Sequence, residues 1–367
     1  MIRSLWLILI VAWGIAHAAD VRVVPITILD KQQDGPLYPR SLRMPFITLP
    51  DAAVAADIND RLFIGQLNGL APAKLTDTLD SINLRLDGLA EQDFELVRLD
   101  RRILSLRFDA EGCGAYCESY SVAYSFDLKT GRKLNHTDLF TPSGMHMVAE
   151  KMRREKQRLY RNQIAALQKT FKAEQRKSTP NPDELADLQE RLELNRECAE
   201  RIHEQSDDRA AFHYRWSFLP QHASLHAGRC SNHASRALDD VGDIELPLHY
   251  ATLRPYMTAY GKSILLDEGT VDIHNVYGQV LRGNLGKQPV VMLLERHEDS
   301  SISGTYFYSK YRKAIDLYGR VNGKRIELDE RDPEGKIIAR MQLHMDGNRL
   351  RGTWQQHDLL PIDLHAP

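Results

Sequence analysis

The chain is short of several things, and each shortage excludes something. After its first residues, no stretch stays apolar for the roughly 20 residues a membrane-spanning helix needs, so no integral segment is expected beyond a leader. Neither sign of charge dominates. Lys and Arg number 48 against 50 Asp and Glu, which argues against a dedicated nucleic-acid binder. No G-x-S-x-G, H-E-x-x-H, Walker or dinucleotide fingerprint occurs, so neither a catalytic residue nor a cofactor is expected. Cysteine is scarce as well: the 367 residues hold four.

What is present begins with a targeting pattern. Met1-Ile-Arg3 is positive, Leu5 to Ile15 is apolar, and Ala16-His17-Ala18 has the A-x-A form of a cleavage site. Residues 1–18 therefore read as a signal peptide. No cysteine follows it to carry a lipid, so a periplasmic or secreted mature chain is expected. Four cysteines in an oxidising compartment make two disulfides. Three pairings are open. Cys113–Cys117 with Cys198–Cys230 is favoured, because the first pair closes locally and leaves the second to itself.

The densest pattern lies between Ile103 and Phe140. Leu104, Leu106 and Phe108 alternate with polar residues, as do Tyr120, Val122, Tyr124, Phe126 and Leu128. Such alternation marks half-buried strands. EGCGAYCE between them reads as a cross-linked hairpin tip, and a turn at Lys129-Thr-Gly131-Arg leads through a short strand to Asp138-Leu-Phe140.

Upstream, Val21–Leu29 and Leu42–Leu49 are strand-like, followed by a helix from Asp51 as N-cap to Gly69 as terminator. Met145, Val148, Met152, Leu159, Ile164, Leu167 and Phe171 fall at helical spacing on a basic background. After a break at Pro180 and Pro182, Leu185, Leu188, Leu192, Ala199 and Ile202 share a face of an acidic helix. Complementary flanks make this pair an antiparallel hairpin, expected to be peripheral to the sheet. Strands resume at Phe212–Leu219, Ala223–Ala227 and Asp243–Leu248. A short helix then runs from Tyr250 to Tyr260, ended by Gly261.

From about Val271, strand-like runs recur every ten residues or so, with Asn322-Gly323 and Asp346-Gly347 as hairpin turns. Ile302-Ser-Gly304-Thr-Tyr306 and Leu350-Arg-Gly352-Thr-Trp354 echo one another, and a small barrel is expected. The fold class is thus α+β: a mixed sheet-and-helix domain with a helical-hairpin insertion, then an all-β antiparallel meander or barrel.

Candidate chemistry is sparse. His222, His226, Cys230 and His233 offer metal-ligand types in a short span. If the first two share a strand they lie about 13 Å apart, and Cys230 is needed by Cys198, so no metal is expected. Cys113-x3-Cys117 lacks the two-residue spacing of a redox pair and reads as a staple. Asp109, Glu111 and Glu118 gather carboxylates at the hairpin tip, as a hydrolase or deacetylase would need, although acids at a turn are commonly just solvated. Tyr116 and Tyr120 lie beside them, so Tyr116, Tyr120, Glu111 and Glu118 form the candidate ligand face. Tyr306, Tyr308, Tyr311 and Trp354 read mainly as packing.

Residues 103–140 and 212–266 resemble the extracytoplasmic sensor domain of RsiV-type anti-sigma factors. The likeness rests on Tyr124-Ser-Phe126-Asp127-Leu128-Lys129-Thr130-Gly131, on Asp138-Leu139-Phe140, on Ile244-Glu-Leu246-Pro247 and on Leu253-Arg-Pro255-Tyr256. Leu37-Tyr38-Pro39 and the helix bearing Ile58-Asn59 are similar to a PdaC-like region. The resemblance implies a PdaC-like part over residues 19–100, an RsiV-like domain over 101–268 with the hairpin at 142–205, and a meander at 271–367 outside the likeness. It implies a non-catalytic recognition domain whose relatives bind lysozyme. It implies neither sigma-factor control nor deacetylation, since no cytoplasmic segment and no deacetylase domain accompany it. The expected function is a periplasmic binding or sensor-like protein for an envelope protein or a peptidoglycan glycan. The rivals are a cell-wall hydrolase or deacetylase and a structural envelope protein.

Overall fold

A computed structural model describes residues 21–28, 41–75, 86, 88–204, 211, 213–297, 299–332 and 334–366. The leader and Leu37-Tyr38-Pro39 lie outside them. The first layer is a five-stranded sheet in the order β1 (Arg22–Ile28), β2 (Ser41–Thr48), β3 (Leu89–Leu99), β4 (Ile103–Cys113), β5 (Cys117–Asp127). Its β2–β3 pairing is parallel and the rest antiparallel.

Helix α1 (Ala52–Leu67) crosses between β2 and β3. The Asp51 carboxylate accepts from the amides of Ala53 and Val54 at 3.0 and 3.2 Å, which satisfies donors that a helix start leaves open. Asn68, rather than Gly69, takes the left-handed C-cap. Asparagine tolerates that conformation better than other residues with a Cβ. Val54, Ile58 and Leu62 pack on Leu42, Leu106 and Phe126 of the sheet.

The chain then turns at Asp127, a fully buried carboxylate that accepts from Arg102 Nε at 2.9 Å and from the Lys129 amide at 3.0 Å. Gly131 at φ +70° completes the turn. The expected strand toward Phe140 is instead a bridge from Lys133 to Phe126 and one helical turn, α2 (His136–Leu139).

The long hairpin pairs α3 (Pro142–Gln175) with α4 (Pro182–Glu204). At ~1.5 Å per residue, α3 is roughly 50 Å long. Its far end is self-contained, with Ile164, Leu167 and Phe171 on Leu188 and Leu192. Its near end is not peripheral. Met145, Val148, Met152, Tyr160, Cys198 and Ile202 share one core with Trp216, Phe218 and Leu225 of the next sheet. An amphipathic stripe in the sequence cannot say which neighbour covers it, and here the cover changes along the helix.

That next sheet is β6 (Arg215–Phe218), β7 (His222–Ala227), β8 (Ile244–His249), all antiparallel. After it come α5 (Tyr250–Leu253), a 3-10 turn over Arg254–Tyr256, and α6 (Ala259–Leu266). Gly261 lies inside α6 instead of ending a helix, and a Cβ there would overlap the Leu139 carbonyl. Close backbone approach, not termination, explains that glycine.

The last eight strands close into an antiparallel barrel. They are β9 (Val280–Leu285), β10 (Gln288–Arg296), β11 (Ser301–Tyr308), β12 (Ala314–Asn322), β13 (Arg325–Arg331), β14 (Ile337–Asp346), β15 (Arg349–Gln355) and β16 (Leu359–His365), and β16 pairs back to β9. Period-2 alternation puts Leu281, Met292, Leu317, Ile326, Met341 and Ile362 in the interior. Gly304 faces Leu294 and Leu317 on its two neighbours, and Gly352 faces Leu343 and Ile362. Small residues between large ones let a narrow barrel fill without voids.

The outward positions of β13 to β15 carry Arg325, Glu327, Arg340 and Arg351, all exposed, unlike the apolar band of a membrane barrel. One outer patch is covered: Val280, Val291, Leu293 and Phe307 pack on Ile64 and on Leu70 just beyond α1. No helix among the described residues is long and apolar enough to cross a membrane.

Candidate functional site: a stapled groove of mixed charge

The β4–β5 hairpin tip and the loop after β7 enclose an open groove of about 740 Å3. One wall is the sheet face. Register places Glu91 directly opposite Glu111, and Asp93 directly opposite Asp109, with Ser119 and Ser121 completing the rows on β5. Like charges facing each other across a ladder are destabilising. Asp93 is relieved by Arg43 at 2.8 Å and Asp109 by Arg107 at 3.1 Å. Glu91 and Glu111 make no ion pair among the described residues. Glu91 is exposed and Glu111 half-buried, so both carboxylates are open to the groove.

The other wall is basic. Arg215 of β6 and Arg229 and Arg236 of the loop line it, with Ser231 and Asp243. Arg215 Nη1 donates to the Ser121 carbonyl at 2.9 Å. Burial holds the Arg215 pKa below its usual range. Arg215 Nε, Arg229 Nε and Ser231 Oγ are buried without a hydrogen-bond partner. Unpartnered buried polar atoms are uncommon in folded proteins, and these three lie behind one wall.

Both walls are fixed covalently. Cys113–Cys117 closes the hairpin tip, and Cys198–Cys230 ties the loop to α4. Both bonds are the pairs expected from spacing. Arg191 of α4 also bonds Asp240 at 2.7 Å, and Asp239 accepts from the amides of Ser231 and Gly242, each at 3.1 Å. The hairpin, read in sequence as an excursion, is therefore the mount for this loop.

The expected ligand-face residues are brought together but divide in role. Tyr116 lies flat on His233, ring centroids 3.8 Å apart and 13° from parallel, and is more than half exposed. Glu118 also lines the groove, and it pairs with Arg229 and, at 3.5 Å, with His233, so it joins the walls. The Arg229 bond holds the Glu118 pKa below the ordinary carboxylate range, opposite to what a general acid needs. Glu111 and Tyr120 line the groove, and Tyr120 is exposed.

Among the described residues, His222, His226, Cys230 and His233 do not converge on one point. His222 tilts against His249, and His226 bonds Ser224 at 3.2 Å. Glu111 lies within 4.8 Å of both Cys113 and Cys117 sulfurs, but a disulfide offers no thiolate to a metal. Tyr306 and Trp354 sit inside the barrel, where both donate to buried Glu330, the indole at 3.1 Å. Tyr311 is exposed.

Sequence reasoning missed Glu91, Asp93 and the three arginines. The acids carry a readable signal, since Glu91, Asp93 and Glu95 alternate as Asp109 and Glu111 do. The arginines carry none, because only the fold brings them opposite.

No family model matches the chain, and no curated protein matches it. Among solved structures it is similar to a DUF3298 family protein from Pseudomonas aeruginosa PAO1, at 12% identity and a TM-score of 0.33. That likeness covers 66% of this chain and 95% of the other. A likeness at that level assigns neither a shared fold nor a function.

Proposed function

We infer that the protein is a non-catalytic extracytoplasmic binding or sensor-like protein, and that the groove recognises a cell-envelope partner. The observation that supports this most is the facing of Glu91 and Glu111 on one wall by Arg215, Arg229 and Arg236 on the other. Such a groove offers acceptors to ammonium and hydroxyl groups and donors to carboxylate and amide groups. Partners with that chemistry are a protein surface, with lysozyme the example the sensor-domain resemblance implies, or the sugar and peptide groups of peptidoglycan. Two disulfides fit an oxidising compartment and hold the walls before the partner arrives. Pre-formed walls lower the ordering cost of binding.

Purified peptidoglycan separates this reading from a cell-wall hydrolase or deacetylase. The expected result is no soluble fragment and no released acetate from either wild type or Glu111→Gln. Turnover by the wild type that disappears in Glu111→Gln establishes the enzyme instead.

A further inference from the structure

A second hollow lies on other elements, where α1 and the chain after it meet the outside of the barrel. It holds about 410 Å3, inside the ~300–1,000 Å3 range of small-molecule sites. Phe46, Leu70 and Val291 supply apolar lining. Ala52, Ala55 and Ala56 keep the hollow open, because their side chains stop at a methyl group.

Two guanidiniums reach the hollow, and they differ. Arg282 donates to Asp57 at 2.9 Å and to Asp60 at 2.7 Å, so its donors are taken. Arg312 donates one bond, to the Ala71 carbonyl at 2.6 Å, and makes no ion pair among the described residues. The lining carboxylate, Asp60, is already engaged by Arg282 and by the Ala71 amide at 2.8 Å.

The Arg312 backbone adds an independent observation. Its φ is +55°, in the left-handed region, where any residue with a Cβ is strained. Its amide bonds the Tyr308 carbonyl at 2.8 Å, so the turn itself needs only a backbone. Glycine would make the same turn without strain. Arginine there sets a guanidinium, with no ion pair among the described residues and with spare donors, beside a cavity of partly apolar lining.

We propose that this cleft is a second binding site, for a small amphiphile that carries one carboxylate on an apolar chain. The chain lies on Phe46, Leu70 and Val291, and the carboxylate accepts from Arg312. Guanidinium suits that headgroup because its donors form a planar fork.

Decanoate titrated into the full chain, followed by calorimetry, tests the site. The expected result is saturable one-to-one binding, weakened roughly tenfold or more by replacing decanoate with decanol, by Arg312→Gln, and by Ala56→Phe, which fills the cleft. Arg312→Gly decides between a binding role and a strut. It should hold or raise the melting temperature, by relief of the left-handed backbone, while binding is lost. Absence of saturable binding by folded wild type overturns the proposal. So does undiminished binding in Arg312→Gly and Ala56→Phe. A lowered melting temperature in Arg312→Gly also overturns it, since the guanidinium would then be a prop for Ala71.

Discussion

Asp57 shows how a single side chain couples this molecule to pH. Its side chain is 3% exposed, one oxygen lacks a partner, and burial pushes its pKa up to about 7 despite the Arg282 bond. An acid whose folded pKa lies above its unfolded value binds its proton more tightly when folded. Its stabilisation is therefore fully present below the unfolded value near 4 and lost as pH rises through about 7. Asp57→Asn keeps an acceptor for Arg282 and removes the charge. It should stabilise at pH 8 relative to pH 5, by on the order of 2 kcal/mol in the difference of wild-type and variant denaturation curves. A pH-independent difference would place the proton elsewhere. Gly352 is a residue of another kind. A Cβ there would overlap the Gln342 carbonyl, so Gly352→Ala should cost about 1–3 kcal/mol as an overpacked core change, read as a lowered melting temperature.

Among the elements, the helical hairpin separates what sequence carries from what it does not. Spacing places both helices, their antiparallel pairing and the α4 disulfide, because each is local or follows by elimination. It does not place the hairpin base in the core under β6 and β7, since Met145 and Leu167 read alike in sequence yet meet different neighbours. The groove divides the same way. Glu111, Glu118, Tyr116 and Tyr120 are near neighbours along the chain and legible there, whereas Arg215 and Arg229 meet them across about a hundred residues. Replacing residues 163–193 by a short linker should leave the protein folded, whereas removing 145–204 with Cys230→Ser should unfold the part before the barrel and reduce near-ultraviolet circular dichroism to the barrel's share. Survival of the larger deletion would show that the base is dispensable. Cys198→Ser with Cys230→Ser should cost roughly 3–4 kcal/mol on the chain-entropy account, read by urea denaturation.

For the whole molecule, the decisive feature is how the barrel is mounted. Its interior is complete by itself, but it docks on α1 through a small apolar patch and a set of ion pairs, Arg282 with Asp57 and Asp60, and Arg61 with Glu295. Arg132, almost wholly buried, adds bonds to the Tyr277 and Asn275 carbonyls at 2.7 and 2.8 Å. Expressed as residues 271–367, the barrel should fold and melt cooperatively, and should self-associate more than Leu293→Ser and Phe307→Ser forms of the fragment. A disordered fragment would show that α1 is needed to close it.

The groove lies on the other part of the molecule, and its occupancy by an envelope partner is the central claim. A photo-reactive residue in place of exposed Tyr120, at the groove, or of exposed Tyr318, on the barrel, tests that claim in intact cells. The account predicts a discrete adduct from position 120 and none from 318, abolished when Glu91 and Glu111 are both changed to Lys. Equal labelling at the two positions, or an adduct at 120 that survives the double charge reversal, would contradict it.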